Sequence, residues 1–563
     1  MVARQTPLVT RRHRLRSPWR HYTAWPVAAG MVACLVTMPL LVVVSSLLTP
    51  SLDIWRHLWH TQLPELLGNT LALIVGVGCG VTVLGTGLAW LVTMYRFPGR
   101  ALFEWLLILP LAMPAYVIGF VFLALFDYAG PIQRSLRQVF GSQVWFPDIA
   151  SYGGVVLVMT LVLYPYVYIL ARAAFLEQSE ATLEAARILG ARRIVLFWKV
   201  ILPLARPSIV VGVTLALMEA LADFGTVAIF NYATFTRAIY RVWFGLFSRD
   251  AATELASLLV LFTLTLYFLE RRQRGQTRFY QTTGNLRPVM RQQLTRWRAW
   301  LASGLASVVL GVAFILPVTQ LLIWTVKTTS TLDYDARYPT FLLNTLTLAA
   351  ITAMVAVAAA VVVAYGTRLS HSRLVGRLGR LASMGYALPG SVVAVGVLVP
   401  LAYLDQTMDA FSRATWNYSS GLLLTGSMVG LIFAYVVRFL AVSHQTVEAS
   451  LIKITPNMDM AARSLGATPG RLLRRIHVPL IRTGLTSAAI LVFVDVMKEM
   501  PATLLLRPFG YDTLAIRVWQ LTSESLWELA ALPALTIVAA GMLPVLILTR
   551  SSVRPRRGKG PTT

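Results

Sequence analysis

Charged residues are scarce in this chain of 563 residues, and cysteine is almost absent. Only 13% of the residues are Asp, Glu, Lys or Arg, whereas 56% are hydrophobic, and the mean hydropathy is +0.66. Soluble globular domains carry about 25% charged residues, so this composition excludes an ordinary soluble protein. Both cysteines, Cys34 and Cys79, lie in apolar stretches, which argues against a disulfide framework or a cysteine metal cluster.

Acidic residues are the scarcer of the two charged kinds. Asp and Glu number 24 against 50 Lys and Arg, which gives a formal net charge of +26. A basic surface for nucleic acid would cluster on a water-exposed module, and no such module is recognisable, so we predict no nucleic-acid partner. Membrane proteins concentrate Lys and Arg on their cytoplasmic side. The distribution predicts a lipid-embedded protein with both termini in the cytoplasm.

Long apolar stretches occur along the whole chain. A helix needs roughly 20 apolar residues to cross the hydrocarbon core, because its backbone must satisfy its own polar groups there. We therefore predict an all-α membrane protein of about twelve transmembrane helices. The third, fifth and eleventh spans are predicted over 101–126, 207–230 and 482–505.

Motifs of several enzyme classes are missing. The chain has no Gly-x-x-x-x-Gly-Lys-Ser/Thr loop for ATP phosphates, and no serine-histidine-acid or metal-ligand set with an aqueous pocket is recognisable. The glycines between Gly76 and Gly87 superficially resemble a dinucleotide fingerprint, but they lie in an apolar stretch and suit close helix packing. We predict no cofactor and no enzymatic activity in this chain itself.

The sequence repeats itself once. Matches at a nearly constant offset are Asn69-Thr70-Leu71 with Asn344-Thr345-Leu346, Gly190-Ala191 with Gly466-Ala467, and Arg241-Val242-Trp243 with Arg517-Val518-Trp519. An even number of spans per copy gives both copies the same orientation, related by an axis along the membrane normal. The predicted parts are a basic flank (1–24), a first transmembrane domain (25–270), a cytoplasmic linker (271–298), a second transmembrane domain (299–550) and a basic tail (551–563).

A similar loop follows the fourth predicted span of each copy, at 179–203 and 455–479. It contains Glu184-Ala185-Ala186, Gly190 and Pro203 in the first copy, and Met460-Ala461-Ala462, Gly466 and Pro479 in the second. A Ser or Thr at the start suits a helix N-cap, and the glycine suits the left-handed residue that ends a helix. Each loop is predicted as two short helices joined by a glycine turn at the membrane face.

These loops resemble the signature loop of binding-protein-dependent ABC permeases, which reads Glu-Ala-Ala, three residues, Gly, nine residues, Ile-any-Leu-Pro. The first copy has Val200 in place of Ile, while the second has Met460 in place of Glu and Val478 in place of Leu. The resemblance implies two tandem six-helix type I importer permease repeats, fused in one chain, whose loops bind two ABC ATPase subunits. The implied docking residues are Glu184, Ala185, Ala186, Gly190, Pro203, Ala461, Ala462, Gly466 and Pro479.

Segments 222–230 with 236–240, and 495–510, also resemble the fused iron(III) importer permeases. That resemblance implies iron(III) as the cargo and a periplasmic iron-binding protein as a partner. Fused thiamine permeases share the layout, so thiamine or another small solute stays an alternative. A secondary transporter, which needs no ATPase, and an intramembrane enzyme are two further alternatives.

Acidic residues recur within predicted spans five and eleven. The hypothetical path residues are Glu219, Asp223, Asp495, Lys498 and Glu499. The separation of the two acids in each copy predicts that they share one helical face. Charges in hydrocarbon are costly and point at a bundle interior, a partner or a watery path. Either these acids line a path for ferric iron, a hard cation that prefers oxygen ligands, or Lys498, Arg507 and Arg237 pair with them structurally.

Overall fold

The computed structural model describes residues 24–48, 52–177, 193–277, 291–330, 335–370 and 372–553. Twelve helices in these ranges are long and apolar enough to cross a membrane. This confirms the predicted all-α membrane fold and its number of spans. The spanning helices are α1 (Ala24–Ser45), α2 (Leu63–Met94), α3 (Ala115–Phe126), α4 (Tyr152–Glu177), α5 (Leu202–Ala222), α6 (Arg249–Thr277), α7 (Arg296–Leu310 and Leu316–Ser330), α8 (Tyr338–Leu369), α9 (Gly390–Trp416), α10 (Met428–Leu451), α11 (Val478–Met497) and α12 (Trp527–Val553).

Short elements connect the spans in a similar order in both copies. Before the third span of each copy lie Arg100–Leu106 with the 3-10 turn Leu109–Ala112, and Arg373–Ala382 with the 3-10 turn Gly385–Ala387. After the fifth lie Gly225–Ile229 with Phe235–Gly245, and Pro501–Leu506 with Leu514–Ser523. The remaining short elements are Ser46–Leu48, Leu52–Thr61, Pro131–Phe140, Arg193–Leu196, Phe197–Ile201, Gly311–Ile315, Pro456–Ser464, Pro469–Leu472, Leu473–His477 and the strands Tyr95–Arg96 and Gln292–Gln293.

Proline interrupts the segment predicted as one continuous third span. Pro114 has extended backbone angles and stands directly before α3, and Met113 ahead of it is extended as well. A residue before proline is disfavoured in the α region because of a clash with the proline ring. The prediction of one helix over 101–126 is therefore wrong in its continuity. Pro389 stands in the same relation to α9.

The fifth and eleventh spans begin and end earlier than predicted. Helix α5 ends at Ala222 and α11 ends at Met497, so both predicted ranges extended past a helix end. After a short non-helical segment, the chain continues in the short helix Gly225–Ile229 after α5 and in Pro501–Leu506 after α11. These two breaks bring polar backbone groups into the bundle, and they carry the acidic residues described below.

The first span of the chain packs against the second copy. The Trp25 ring meets the ring of Tyr365 in α8 edge-on, with centroids 5.1 Å apart. A Cβ added to Gly396 in α9 would lie 2.6 Å from the Pro39 carbonyl oxygen, so glycine permits the close approach of α1 and α9. Helix α1 belongs to the first copy in sequence, but it packs with the second copy in the structure.

The first span of the second copy makes the reverse crossing. Ser303 in α7 donates a hydrogen bond of 2.8 Å to the Pro98 carbonyl, and Trp324 stacks on Phe120 of α3. Gln292–Gln293 pairs in parallel with Tyr95–Arg96, which fixes the end of the predicted linker to the first copy; residues 278–290 of that linker lie outside the described residues. One hydrophobic core accordingly combines α2–α5 with α7 and α12, and the other combines α1 and α6 with α8–α11.

Candidate functional site

The second docking loop, residues 455–479, has the two-helix form predicted for it. Pro456–Ser464 is its first helix, and Gly466 follows with a φ of +76°, in the left-handed region that favours glycine. The Thr468 side chain then accepts a hydrogen bond from the Arg471 backbone N–H and begins the second helix. We call the end of the bundle that carries this loop the docking end.

The first docking loop, residues 179–203, lies largely outside the described residues. Glu184, Ala185, Ala186 and Gly190 all fall there, so their docking role stays a prediction. Pro203 is described, in the first turn of α5, and Pro479 occupies the same place in α11. The two loops therefore lead into their spans in the same way.

Large apolar side chains are exposed on the second docking loop. Leu465 is 88% exposed, and Met458 and Met460 are about half exposed, whereas Ala462 is buried; Ala461 is exposed. Exposed apolar patches mark interaction sites in proteins. The loop thus turns one face to the bundle and exposes apolar side chains on another.

At the helix breaks, the acidic residues cap the short helices that follow. Asp223 lies just past α5, where its carboxylate accepts from the Thr226 backbone N–H at 2.8 Å and from the Thr226 hydroxyl at 3.0 Å. Glu499 lies just past α11 and accepts from the Ala502 backbone N–H at 3.1 Å. The prediction that both acids of a copy share a helical face is wrong, because the helix ends between them.

The predicted path residues nevertheless converge between the two copies. A cavity of about 110 Å³ is lined by Glu219, Asp223, Lys498 and Glu499, together with Pro114 and Met500 from the neighbouring breaks. Asp495, one turn before Lys498, forms a salt bridge of 2.9 Å with its Nζ atom. The structure therefore gathers all five predicted residues into one cluster, which we call the acid cluster.

Arg438 of α10 is a member of this cluster that the sequence analysis missed. Its Nη1 donates to Glu499 Oε1 at 2.9 Å, with both side chains buried. A Cβ added to Gly390 would overlap both of these atoms, so any larger residue there would have to displace the ion pair. A lone arginine within an apolar span was the available signal, since intramembrane charges mark functional sites.

Of the three cations predicted to pair with the acids, only Lys498 does so among the described residues, with Asp495. Arg507 pairs with Asp512 instead, and Arg237 donates a hydrogen bond to Asn231. Among the described residues, neither Glu219 nor Asp223 forms a salt bridge with Lys or Arg. The acid cluster consequently holds four carboxylates against two cations, Arg438 and Lys498. Both cations belong to the second copy. The matching positions of the first copy hold Val162 and Ala222.

Two tyrosines close the docking-end side of the acid cluster. The Tyr386 hydroxyl donates to Glu219 Oε1 at 2.6 Å, and the Tyr166 side chain lies against that of Tyr386. Beyond them is a second cavity of about 250 Å³, which is also lined by Gln445 and Thr446 near the docking end of α10. Tyr166 lines both cavities, so the tyrosine pair separates them.

Twelve apolar spans in two repeats around a charged central cavity define a multi-pass membrane transport protein. A family model described as "Binding-protein-dependent transport system inner membrane component" matches residues 81–273. The chain is also 30% identical over 498 residues to the "Fe(3+)-transport system permease protein FbpB 2" of Haemophilus influenzae, covering 88% of this chain and 91% of that protein. The chain belongs to the binding-protein-dependent ABC transporter permeases of the inner membrane, which confirms the resemblance seen in its loops.

Other relatives are named for other cargoes. The "Molybdenum transport system permease protein ModB" of Escherichia coli is 32% identical over 211 residues, covering 37% of this chain and 88% of that protein. The "Sulfate transport system permease protein CysT" of Salmonella typhimurium is 33% identical over 191 residues, covering 33% of this chain and 67% of that protein. Both match a part of this chain no longer than a single repeat.

Proposed function

We propose that this ABC importer permease carries iron(III) through a path between its two copies. The observation that carries the proposal is the acid cluster, which has two more carboxylates than cations. Such a site attracts a cation and repels sulfate or molybdate, since like charges at close range are strongly unfavourable in a low-dielectric site. Ferric iron suits it because hard cations prefer carboxylate and other oxygen ligands.

The cavity also has room and polar groups for a hydrated cargo. Its volume of about 110 Å³ exceeds what a few water molecules need. The residue Tyr116 lines it as well, and the Tyr116 hydroxyl is buried without a hydrogen-bond partner in the described part of the chain.

The path runs from the acid cluster, past Tyr166 and Tyr386, into the cavity at the docking end. In the arrangement described here the tyrosine pair separates the two cavities. Two separate ATPase subunits bind the docking loops and drive the opening of this barrier. A periplasmic binding protein delivers the cargo at the opposite end of the bundle.

Orientation follows from the same assignment. The docking loops face the cytoplasm because the ATPase subunits are there. Trp25, near the start of α1, contacts Tyr365 at the docking end of α8, so the N-terminal flank (1–24) lies on the cytoplasmic side. The even number of spans then brings the tail (551–563) to that side as well, in agreement with the charge distribution.

Uptake measurements in the native host test this proposal. A strain lacking this gene, complemented with the wild-type chain, should take up radioactive ferric iron and should not gain sulfate, molybdate or thiamine uptake. Complementation of thiamine uptake without iron uptake would replace the iron assignment by the thiamine alternative. Uptake that persists after the cellular ATP is depleted would favour a secondary transporter instead.

A further inference from the structure

A buried ion-pair network ties the first helix of the second docking loop to the transmembrane bundle. Asp459 Oδ2 accepts from Arg368 Nη2 at 3.0 Å, and Arg368 lies at the docking end of α8. Asp459 Oδ1 is 2.8 Å from His477 Nε2, at the exit of the loop. Both Asp459 and His477 are buried, although they belong to a loop at the end of the bundle.

The same end of α8 holds the loop at two more places. Arg368 also donates to the Leu451 carbonyl at 2.6 Å and to the Ile454 carbonyl at 3.0 Å, at the entrance of the loop. The Tyr365 hydroxyl donates to the Pro469 carbonyl at 2.8 Å, in the second helix of the loop. Entrance, both helices and exit are thus joined to one turn of α8, and the loop cannot tilt without moving that turn.

In the sequence of the first copy, the three positions that match this network hold none of its side chains. At the matching positions, the first copy has Leu183 in place of Asp459, Ile201 in place of His477 and Thr93 in place of Arg368. The second loop, in turn, has Met460 where the signature pattern has Glu. The copy that lost the signature carboxylate therefore carries a different carboxylate one position earlier, directed into the bundle.

We propose that Asp459 is a positioning residue that makes the second docking loop the rigid lever of this transporter. Movement of the ATPase bound there passes through Asp459 and Arg368 to α8, and through His477 to α11 and the acid cluster at its far end. The two ATPase contacts are then unequal, although the two subunits can be identical. The inference rests on the proposed docking of ATPases at the loops and is independent of the cargo.

The test compares two carboxylate-to-amide changes near the same loop. Asp459→Asn removes the ion pair, whereas Glu448→Gln alters a largely exposed carboxylate at the end of α10 and is the matched control. Both variants are purified with their bound ATPase after Cys34 and Cys79 have been replaced by serine. Nitroxide labels are placed at two exposed residues on the side of the bundle away from the docking end: Gln143, which follows the short helix Pro131–Phe140, and Thr415, near the end of α9.

The readout is the change in distance between the two labels on addition of ATP with vanadate. The wild type and Glu448→Gln should show the same change, while Asp459→Asn should keep its ATPase and ATP binding but shift its populations about tenfold less, a typical size for coupling between sites. Asp459→Glu should recover part of the response. A wild-type distance change in Asp459→Asn, or the loss of bound ATPase in that variant, would overturn the lever assignment. Absence of iron uptake in the wild type would refute only the cargo.

Discussion

Tyr386 of the second copy donates a hydrogen bond of 2.6 Å to Glu219 of the first copy, so one phenol joins the two repeats at the barrier between the cavities. Tyr386→Phe removes this bond and keeps the ring. A hydrogen bond to a charged group contributes about 1.5 to 3 kcal/mol. The arrangement in which the tyrosine pair separates the two cavities, which we call the closed state, should therefore become roughly tenfold or more less populated relative to the open one. We expect faster ATP hydrolysis without binding protein, measured on the purified complex with its ATPase.

Tyr338→Phe is the control for that change. The Tyr338 hydroxyl forms a hydrogen bond of 2.7 Å with Thr536, outside the acid cluster, so its loss removes a partly buried hydrogen bond without touching the barrier. Equal rates of unstimulated hydrolysis in the two variants would show that Tyr386 does not hold the closed state.

Gly390→Ala tests the packing of the Arg438–Glu499 pair. The added methyl group would lie 2.3 Å from an atom of each side chain, and overpacking of this kind costs typically about 1 to 3 kcal/mol. We expect a lower melting temperature for the purified protein and weaker transport. Gly376→Ala, in a helix where an added Cβ meets nothing within 4 Å, should melt at or above the wild-type temperature. A Gly390→Ala protein that melts like the wild type would contradict the observed geometry.

Asp223→Asn and Glu499→Gln should differ from each other. Asp223 forms no salt bridge among the described residues, so its amide variant keeps an oxygen for the cap at Thr226 and loses only charge. We expect normal amounts of folded protein and reduced iron uptake. Glu499→Gln leaves Arg438 buried without its carboxylate, which typically costs about 3 to 5 kcal/mol, and should lower the amount of folded protein.

Adding Arg438→Val to Glu499→Gln should restore folding, since valine stands at the matching position of the first copy, Val162. Chromatographic yield and melting temperature report the folding, and radioactive iron reports the path. Wild-type iron uptake by Asp223→Asn would remove that residue from the proposed path.

Gly466→Val tests the turn of the second docking loop. Gly466 has a φ of +76°, and an added Cβ would meet no other atom within 4 Å, so the penalty comes from the backbone alone. For a residue with a side chain this conformation costs roughly 1 to 2 kcal/mol. We expect an inserted protein that retains less ATPase on purification, with Gly470→Ala in the second loop helix as the unaffected control. Undiminished ATPase retention and transport would refute the docking role of this turn.

The sequence predicted what depends on hydropathy and on local residue preference. The spans, the repeat and the glycine turn at Gly466 all follow from such patterns. The break at Glu499 had a signal in Pro501, since proline favours the first position of a new helix. The break at Asp223 had no proline, and a continuous apolar pattern concealed it.

Contacts between distant segments could not be predicted in this way. Arg438 and Glu499 meet because two spans cross, and the repeat offered no guide because its matching position is Val162. The exchange of α1 and α7 between copies was equally hidden, because lipid-facing and protein-facing sides of an apolar helix look alike in composition. The predicted domains 25–270 and 299–550 describe the repeat in the chain, while each hydrophobic core includes two helices of the other copy, α7 and α12 in one core and α1 and α6 in the other.

The crossing of α1 and α7 makes the two repeats a domain-swapped pair within one molecule. Each repeat packs its first helix against the other repeat, as protomers do when they exchange an identical element. The covalent connection through residues 278–290 is then not what keeps them together. Two separately encoded halves, or a chain cut by a protease in that connection, would stay interlocked in the bilayer, so a split permease and a fused one can share this architecture.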